Sequence, residues 1–453
     1  MQRGVKGLAE RLLGEPVLPR GGREDAAASL AVFATWLGAW TPAVHAIYNG
    51  WNVAGLCVAV LLLVVAIGNG AAHGAPSRTV LLVAIASTPL PLLISPPNRH
   101  NLDAGVGGLV PSMVLAGAAA LAVAAVLLPS RISPRASAVG VLAISASAFG
   151  AMITGSRPLI DVWVILQDSA RGLLDGRNPY TMSFPGVPAG QMDWCFNYWP
   201  VTFLSTAPGE WALGDVRWAE ALYLLAAPAL LVWHVGQRSA WRDRRGVALA
   251  VLTAVVPGAL LIVQQAWTEP MLLLGMVAGA VLLARDRADW AVLPLGLALA
   301  TKQHLVVLLP LLLFWPRFGW KRLLATGGVA AAVSLPWLLA DPARFRLCSV
   351  DFFLDQPEPP KSLSVWQVLP EPVRMPVLLL GFAATVVLLL RRVPRTPGGF
   401  LVASGVLLSV FSLLNKQTFM NQWWLAAAFV VAGYALRRAR TDDRAEADVG
   451  SDR

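Results

Sequence analysis

Charge is scarce in this 453-residue chain: Asp, Glu, Lys and Arg together make up 14%, against about a quarter in a water-soluble domain. With 56% hydrophobic residues and a mean hydropathy of +0.61, the chain has too little polar surface to cover a soluble fold. Cysteine is also rare. Cys57, Cys195 and Cys348 stand far apart and make no metal-binding spacing, and spacing alone does not say whether any two pair. No cleavable leader pattern is present. The first 25 residues, MQRGVKGLAERLLGEPVLPRGGRED, are polar for too long, so the first apolar segment reads as an uncleaved anchor. No internal repeat is evident, and the centres of the apolar runs hold almost no charge.

What the chain has in abundance is uninterrupted apolar sequence. Runs such as LCVAVLLLVVAIG (56–68) and MVLAGAAALAVAAVLL (113–128) leave no polar face, and a helix apolar all round belongs in lipid or in a very large core. About fourteen such segments lie between residues 29 and 436. The shortest are 290–301 and 303–316, below the roughly 20 residues of a straight span. The fold class this predicts is all-α, a polytopic bundle of transmembrane helices.

The net charge of +10 does not point to nucleic acid, because the basic residues sit in short loops between apolar runs. Placing the N-terminus inside and alternating the segments collects 25 of the 36 Lys and Arg on one side, as expected of cytoplasmic loops. That side holds Arg3 to Arg23, Arg78, Arg131, Arg135, the 237–246 loop, Arg285, Arg287, Arg317 to Arg322, Arg391 to Arg395 and the tail. The reading is a multi-pass protein of the inner (plasma) membrane with both termini cytoplasmic. Two long segments, 156–215 and about 341–373, fall on the outer side. Both are rich in Pro, Trp and acidic residues, and chemistry concentrates in such loops.

The first of these loops opens with Asp161. VWVILQDSARGLL follows with helical spacing of its apolar residues, the pattern of an amphipathic helix on the membrane surface. DGRNPY closes it in a turn, and FNYWP leads to the next apolar stretch. An Asp followed by a helix, then G-x-N-P-Y and an aromatic–Pro step, resembles the membrane-embedded glycosyltransferases of the GT-C class. It is most similar to the bacterial mannosyltransferase-like group that uses polyprenyl-phosphate sugars. The resemblance covers roughly 136–436. It leaves 1–28 as a cytoplasmic segment, 29–135 as an unmatched four-helix extension and 437–453 as a cytoplasmic tail.

The resemblance implies an inverting sugar transfer on the outer face, with Asp161 as general base. The donor would carry mannose, with arabinofuranose as the second option, and the acceptor would be an envelope lipid or glycan. Three further outer turns carry polar groups: VQQAWTEP (263–270), ATKQH (300–304) and LLNKQTFMNQWW (413–424). A leaving phosphate needs cations, for which Lys302 between two short segments is the first candidate, with Lys416 and Arg177 behind it. Asn178, Tyr180, Gln265, Glu269, His304, Gln417 and Asn421 are candidates for holding sugar or acceptor hydroxyls. No cofactor is implied, since the lipid-linked sugar is a substrate; a divalent metal is left open. The next acid after Asp161 is Asp168, seven residues on, which does not favour a two-carboxylate mechanism at this loop.

Each candidate has a plainer reading. Asp161 can cap its helix, Lys302 can snorkel to headgroups, Glu269 can begin a helix where an acid suits the dipole, and the Trp residues can be interfacial belt. The competing functions are a lipid or glycolipid transporter and a non-catalytic membrane scaffold.

Overall fold

A computed structural model describes residues 20–95, 109–128, 132–189, 191–315, 318–355, 359 and 361–450. The basic residues Arg3 to Arg11, Arg131 and Arg317, the segment ends at 96–97, 107–108 and 316, and the last three residues of the tail lie outside them. The described chain is a helical bundle: α1 (Arg20–Val44), α2 (Gly50–Gly68), α3 (Arg78–Ser87), α4 (Leu90–Ile94), α5 (Leu109–Leu127), α6 (Pro134–Gly155), α7 (Asp161–Leu174), α8 (Pro200–Leu213), α9 (Arg217–Arg238), α10 (Arg244–Leu252), α11 (Ala259–Gln264), α12 (Glu269–Ala284), α13 (Ala288–Leu299), α14 (Leu309–Leu313), α15 (Gly319–Ala340), α16 (Pro342–Arg346), α17 (Glu371–Arg392), α18 (Pro397–Leu414) and α19 (Met420–Gly450), with short helical turns between some of them. Among the described residues, eight helices are long and apolar enough to cross a membrane. Helices α12 and α13 and the stretches 78–94 and 303–313 are apolar but shorter.

Local sequence sets the helix starts. Asn49, Ser77, Ser133, Asp243 and Thr396 each accept a backbone N–H of the first turn, satisfying donors that an open helix end leaves bare. Small residues set the closest contact. Cβ atoms placed on Gly405 and Gly433 would meet the Ala426 carbonyl oxygen at 2.5 Å and that of Gly398 at 2.6 Å, so α18 and α19 touch backbone to backbone, as small residues allow in membrane bundles.

The expected segment 247–265 is two helices rather than one. The chain leaves α10 at Thr253 and re-enters α11 after Pro257 and Gly258 (φ +94°). Proline removes an N–H, and the left-handed glycine redirects the chain. This is tolerated because residues 247–256 are buried within protein, the condition for broken helices at membrane depth. The N-terminal helices are not a separate layer. Ala28, Ala31 and Ile67 share one apolar core with Leu249, Leu273 and Phe429.

Contacts sort the loops into two ends. At one, His73 Nε2 lies 3.2 Å from the Arg392 carbonyl, Arg23 donates to Asn69 (2.7 Å), and Arg322 pairs with Asp289 (2.7 Å). At the other, Leu363 donates to the Thr418 carbonyl (2.7 Å), and a disulfide joins Cys195 to Cys348 with 5.5 Å between their Cα atoms. That bond closes the two long loops into a cap with its own aromatic core, in which Tyr180, Phe196, Phe203 and Phe345 pack ring to ring. The amphipathic helix α7 turns its apolar face into this core through Val162, Ile165, Leu166 and Ala170, so that face is covered by protein rather than left for lipid.

The disulfide spans 153 residues. Replacing both cysteines by serine should lower stability by about 2–5 kcal/mol, read as thermal unfolding of the detergent-solubilised protein. Reductant should reproduce the loss in the wild type and change nothing in the double variant.

Candidate active site

The cap is anchored by Arg217, a fully buried guanidinium. It donates to the carbonyls of Ile153 and Ser156 (both 2.9 Å) and pairs with Asp215 at 2.7 Å. The first two contacts satisfy carbonyls at the open end of α6, and Asp215 also accepts from Trp163 Nε1 at 3.3 Å. One arginine thus ties the end of α6, the start of α9 and the first turn of α7. Further along α7, Gln167 donates to the Gly214 carbonyl (2.8 Å) and accepts from the Val216 N–H (3.1 Å), while Arg171 pairs with Glu210 (2.7 Å). The helix that begins with Asp161 is therefore pinned along its length.

Asp161 is half-buried at the first position of α7. Its Oδ1 accepts from the Val162 N–H (2.8 Å), and its own N–H donates to Gln191 Oε1 (2.7 Å). Among the described residues nothing donates to Oδ2, and Asp161 has no ion-pair partner. Burial raises its carboxyl above the ordinary range; the two backbone N–H groups and the charge of Lys302 pull the other way but do not cancel it. Asp161 is thus both a helix cap and a carboxylate with one open oxygen, made more basic by its setting.

Lys302 sits where the apolar sequence 288–313 breaks between α13 and the turn Gln303–Leu308. The carbonyls freed by the break have partners from the cap. Thr301 accepts from the Trp199 N–H (3.2 Å) and the Thr202 hydroxyl (2.7 Å), and Ala300 accepts from the Val201 N–H (3.1 Å). Gln303 reaches across to the carbonyls of Asn197 (3.0 Å) and Ser349 (2.9 Å). Lys302 itself is buried. Its Nζ lies 2.7 Å from Glu269 Oε1 and 5.1 Å from the centre of the Tyr198 ring. Asn421 Nδ2 donates to the same Glu269 oxygen at 2.8 Å. The turns 263–270, 300–304 and 413–424 therefore meet at one ion pair. Their geometry carries strain: Ala266, beside Gln265, holds a left-handed φ of +53°, a conformation non-glycine residues adopt at a cost.

Among the described residues, several buried polar atoms accept no hydrogen bond: Glu269 Oε2 and Asn421 Oδ1 at the pair itself, and Gln265 Oε1 and Asn197 Oδ1 on the segments that lead to it. Trp199 Nε1 and His304 Nε2 likewise have no hydrogen-bond partner among the described residues. Buried polar atoms are ordinarily satisfied, and a run of acceptors suits a ligand that brings hydroxyl donors.

The other predicted residues divide. Tyr180 is not at this pair; it is fully buried in the cap core, and its hydroxyl donates to the Tyr198 carbonyl at 2.8 Å. Asn178 accepts from the Tyr180 N–H (3.1 Å) and caps a short turn. Arg177 is exposed and pairs with Asp175 (3.1 Å). Lys416 reaches the Leu354 carbonyl (3.1 Å), and Gln417 accepts from Asn415 through its carbonyl (2.8 Å). Asp168 faces Arg171 at 3.8 Å.

Three residues escaped the sequence reading. Tyr198 bridges the elements: its phenol stays protonated because it is buried and because the charges of Asp161, Glu269 and Glu220 surround it. Glu220, in the first turn of α9, is fully buried, and among the described residues both its oxygens lack hydrogen-bond partners. An acid inside an apolar segment is a functional signal in its own right, and this one reads as a helix-start residue instead. Arg217 lies three residues before it and reads the same way. Among the described residues, no three His, Cys, Asp or Glu side chains come together as a metal-ion shell.

Breaking the buried pair should be costly. Lys302→Met strands a buried carboxylate and should cost about 3–5 kcal/mol, measured by thermal unfolding in detergent. Adding Glu269→Gln should restore more than half of that loss. Equal instability of the single and double variants would mean that the two side chains are not coupled.

No family model, no curated protein and no solved structure matches the chain.

Proposed function

We propose that the chain is a glycosyltransferase that moves a sugar from a polyprenyl phosphate to a hydroxyl of an envelope lipid or glycan, at the face bearing the cap. The observation that carries this reading is one arrangement: an open, partly buried carboxylate oxygen at Asp161, within electrostatic reach of a buried ammonium at Lys302, beside a set of unengaged acceptors. The resemblance of the Asp161 loop to GT-C enzymes supports it and supplies the donor class.

In this reaction the acceptor hydroxyl attacks the anomeric carbon as its bond to the phosphate oxygen breaks, and configuration inverts. The hydroxyl proton goes to Asp161 Oδ2. The departing phosphate carries the new negative charge, and Lys302 stabilises it. Glu269 takes one of the three N–H donors of Lys302 and holds the ammonium at its depth; the remaining donors serve the phosphate. Glu269 Oε2, Gln265 and Asn421 then receive sugar hydroxyls, with His304 beside them. Lys302 takes this role ahead of Arg177, which is exposed and pairs with Asp175, and of Lys416, which reaches the Leu354 carbonyl, because it is the buried cation of the three. Mannose is the first sugar to test and arabinofuranose the second.

The test is transfer of labelled sugar from polyprenyl-phosphate-mannose in membranes. Asp161→Asn keeps size and hydrogen bonding and should lose about a hundredfold or more in rate. Equal transfer by the variant would leave Asp161 as a helix cap alone. The pH profile gives a second readout. The base must be deprotonated, and burial raises its carboxyl, so the acidic limb should fall above the ordinary aspartate range of about 4, with rate lost as pH drops through it.

A further inference from the structure

At the basic end, remote from Lys302, a groove of about 820 Å³ opens between α9 and the α12–α13 hairpin. Its walls are apolar, with Leu230, Val281 and Leu293 among them, and its rim carries Arg238, Arg285 and Arg287. Two tryptophans flank it, Trp233 at 43% and Trp290 at 64% exposure. We propose that this groove binds an anionic phospholipid, with the phosphate on the arginines and one chain along the apolar wall.

Arginines at such a loop are expected from topology alone, so their organisation is what matters. Arg285 is fixed rather than splayed into solvent: its guanidinium lies 3.8 Å from the centre of the Trp233 ring, and its Nε lies 3.4 Å from His234 Nδ1. Arg238 donates to the Ala284 carbonyl at 3.3 Å. These contacts strap the end of α9 to the end of α12 and hold two guanidinium groups across the groove, while Arg287 stands exposed beside them. Asp289 is engaged by Arg322 at 2.7 Å, and Asp286 is the other acid of the 285–289 loop, beside Arg285 and Arg287 there and Arg238 across the groove. Guanidinium groups suit phosphate oxygens in geometry and charge, and basic pockets between membrane helices are a recurrent headgroup site. The apolar walls commit the phosphate to a lipid: a free anion gains nothing from Leu230, Val281 and Leu293. The volume lies in the range of built small-molecule sites.

The test uses delipidated protein in detergent and three probes: phosphatidylglycerol, phosphatidylcholine of the same chains, and inorganic phosphate. Retention is counted by native mass spectrometry and binding by thermal shift. Phosphatidylglycerol should be retained with at least about tenfold preference over phosphatidylcholine, and inorganic phosphate should give no shift. Arg287→Gln, an exposed position that tolerates change, and Arg285→Gln should each weaken phosphatidylglycerol binding about fivefold. Arg245→Gln, exposed at the same end but outside the groove, should leave it unchanged. Equal retention of the two lipids, equal losses in the Arg287 and Arg245 variants, or a shift from inorganic phosphate as large as that from lipid would each overturn the proposal.

Discussion

The ion pair between Lys302 and Glu269, 2.7 Å long and closed by Asn421 at 2.8 Å, is the contact on which the polar end of the molecule depends. A lone ammonium or carboxylate at this depth is expensive. Paired, the two become tolerable, and because one carboxylate oxygen serves both partners, the three turns that carry them must meet. The pair also explains why the helix break at residues 300–302 persists. A break frees carbonyls, and in a membrane protein those must be satisfied by other parts of the chain. The residues that satisfy them, Trp199, Val201 and Thr202, belong to the loop that begins with Asp161. The same requirement thus holds the break open and brings the cap down over it.

The two ends of the bundle are built on opposite chemistry. The capped end gathers carboxylates, Asp161, Glu220 and Glu269, around Tyr198, with Lys302 as the cation among them. The other end gathers arginines, several strapped to carbonyls or stacked on tryptophan. At the capped end the arginines Arg171, Arg177 and Arg217 are each paired with a carboxylate, and Lys302 is the buried cation held at the junction of the three turns.

Much of this was legible in the sequence, for physical reasons. Long apolar runs fix the all-helical bundle, since lipid leaves the backbone few other ways to satisfy itself. Alternation of basic loops brings residues 263–270, 300–304 and 413–424 to one side, and the structure joins the three at Glu269, Lys302 and Asn421. The spacing from Val162 to Leu174 matches helix α7. What was not legible required knowledge of partners. Tyr180 follows a proline in a polar turn, as a sugar-facing ring might, yet its place is the cap core, because an aromatic's polar tip serves a backbone carbonyl as well as a ligand. Arg177 and Lys416 carry the charge a phosphate needs, but a sequence does not show that Arg177 pairs with Asp175 or that Lys416 reaches the Leu354 carbonyl. Glu220 looks like a helix-start acid until its burial is known. The Cys195–Cys348 bond was open by spacing and is closed by the docking of the two long loops.

The central claim is that the Glu269–Lys302–Asn421 junction receives the lipid-linked phosphate. Its most direct test is a photoreactive polyprenyl-phosphate probe added to membranes, followed by mapping of the labelled peptides. The account predicts labelling within 197–202, 263–270 and 299–304, competed by unlabelled polyprenyl phosphate and lost in Lys302→Met/Glu269→Gln. Labelling confined to the basic end, or unchanged in that double variant, would contradict it.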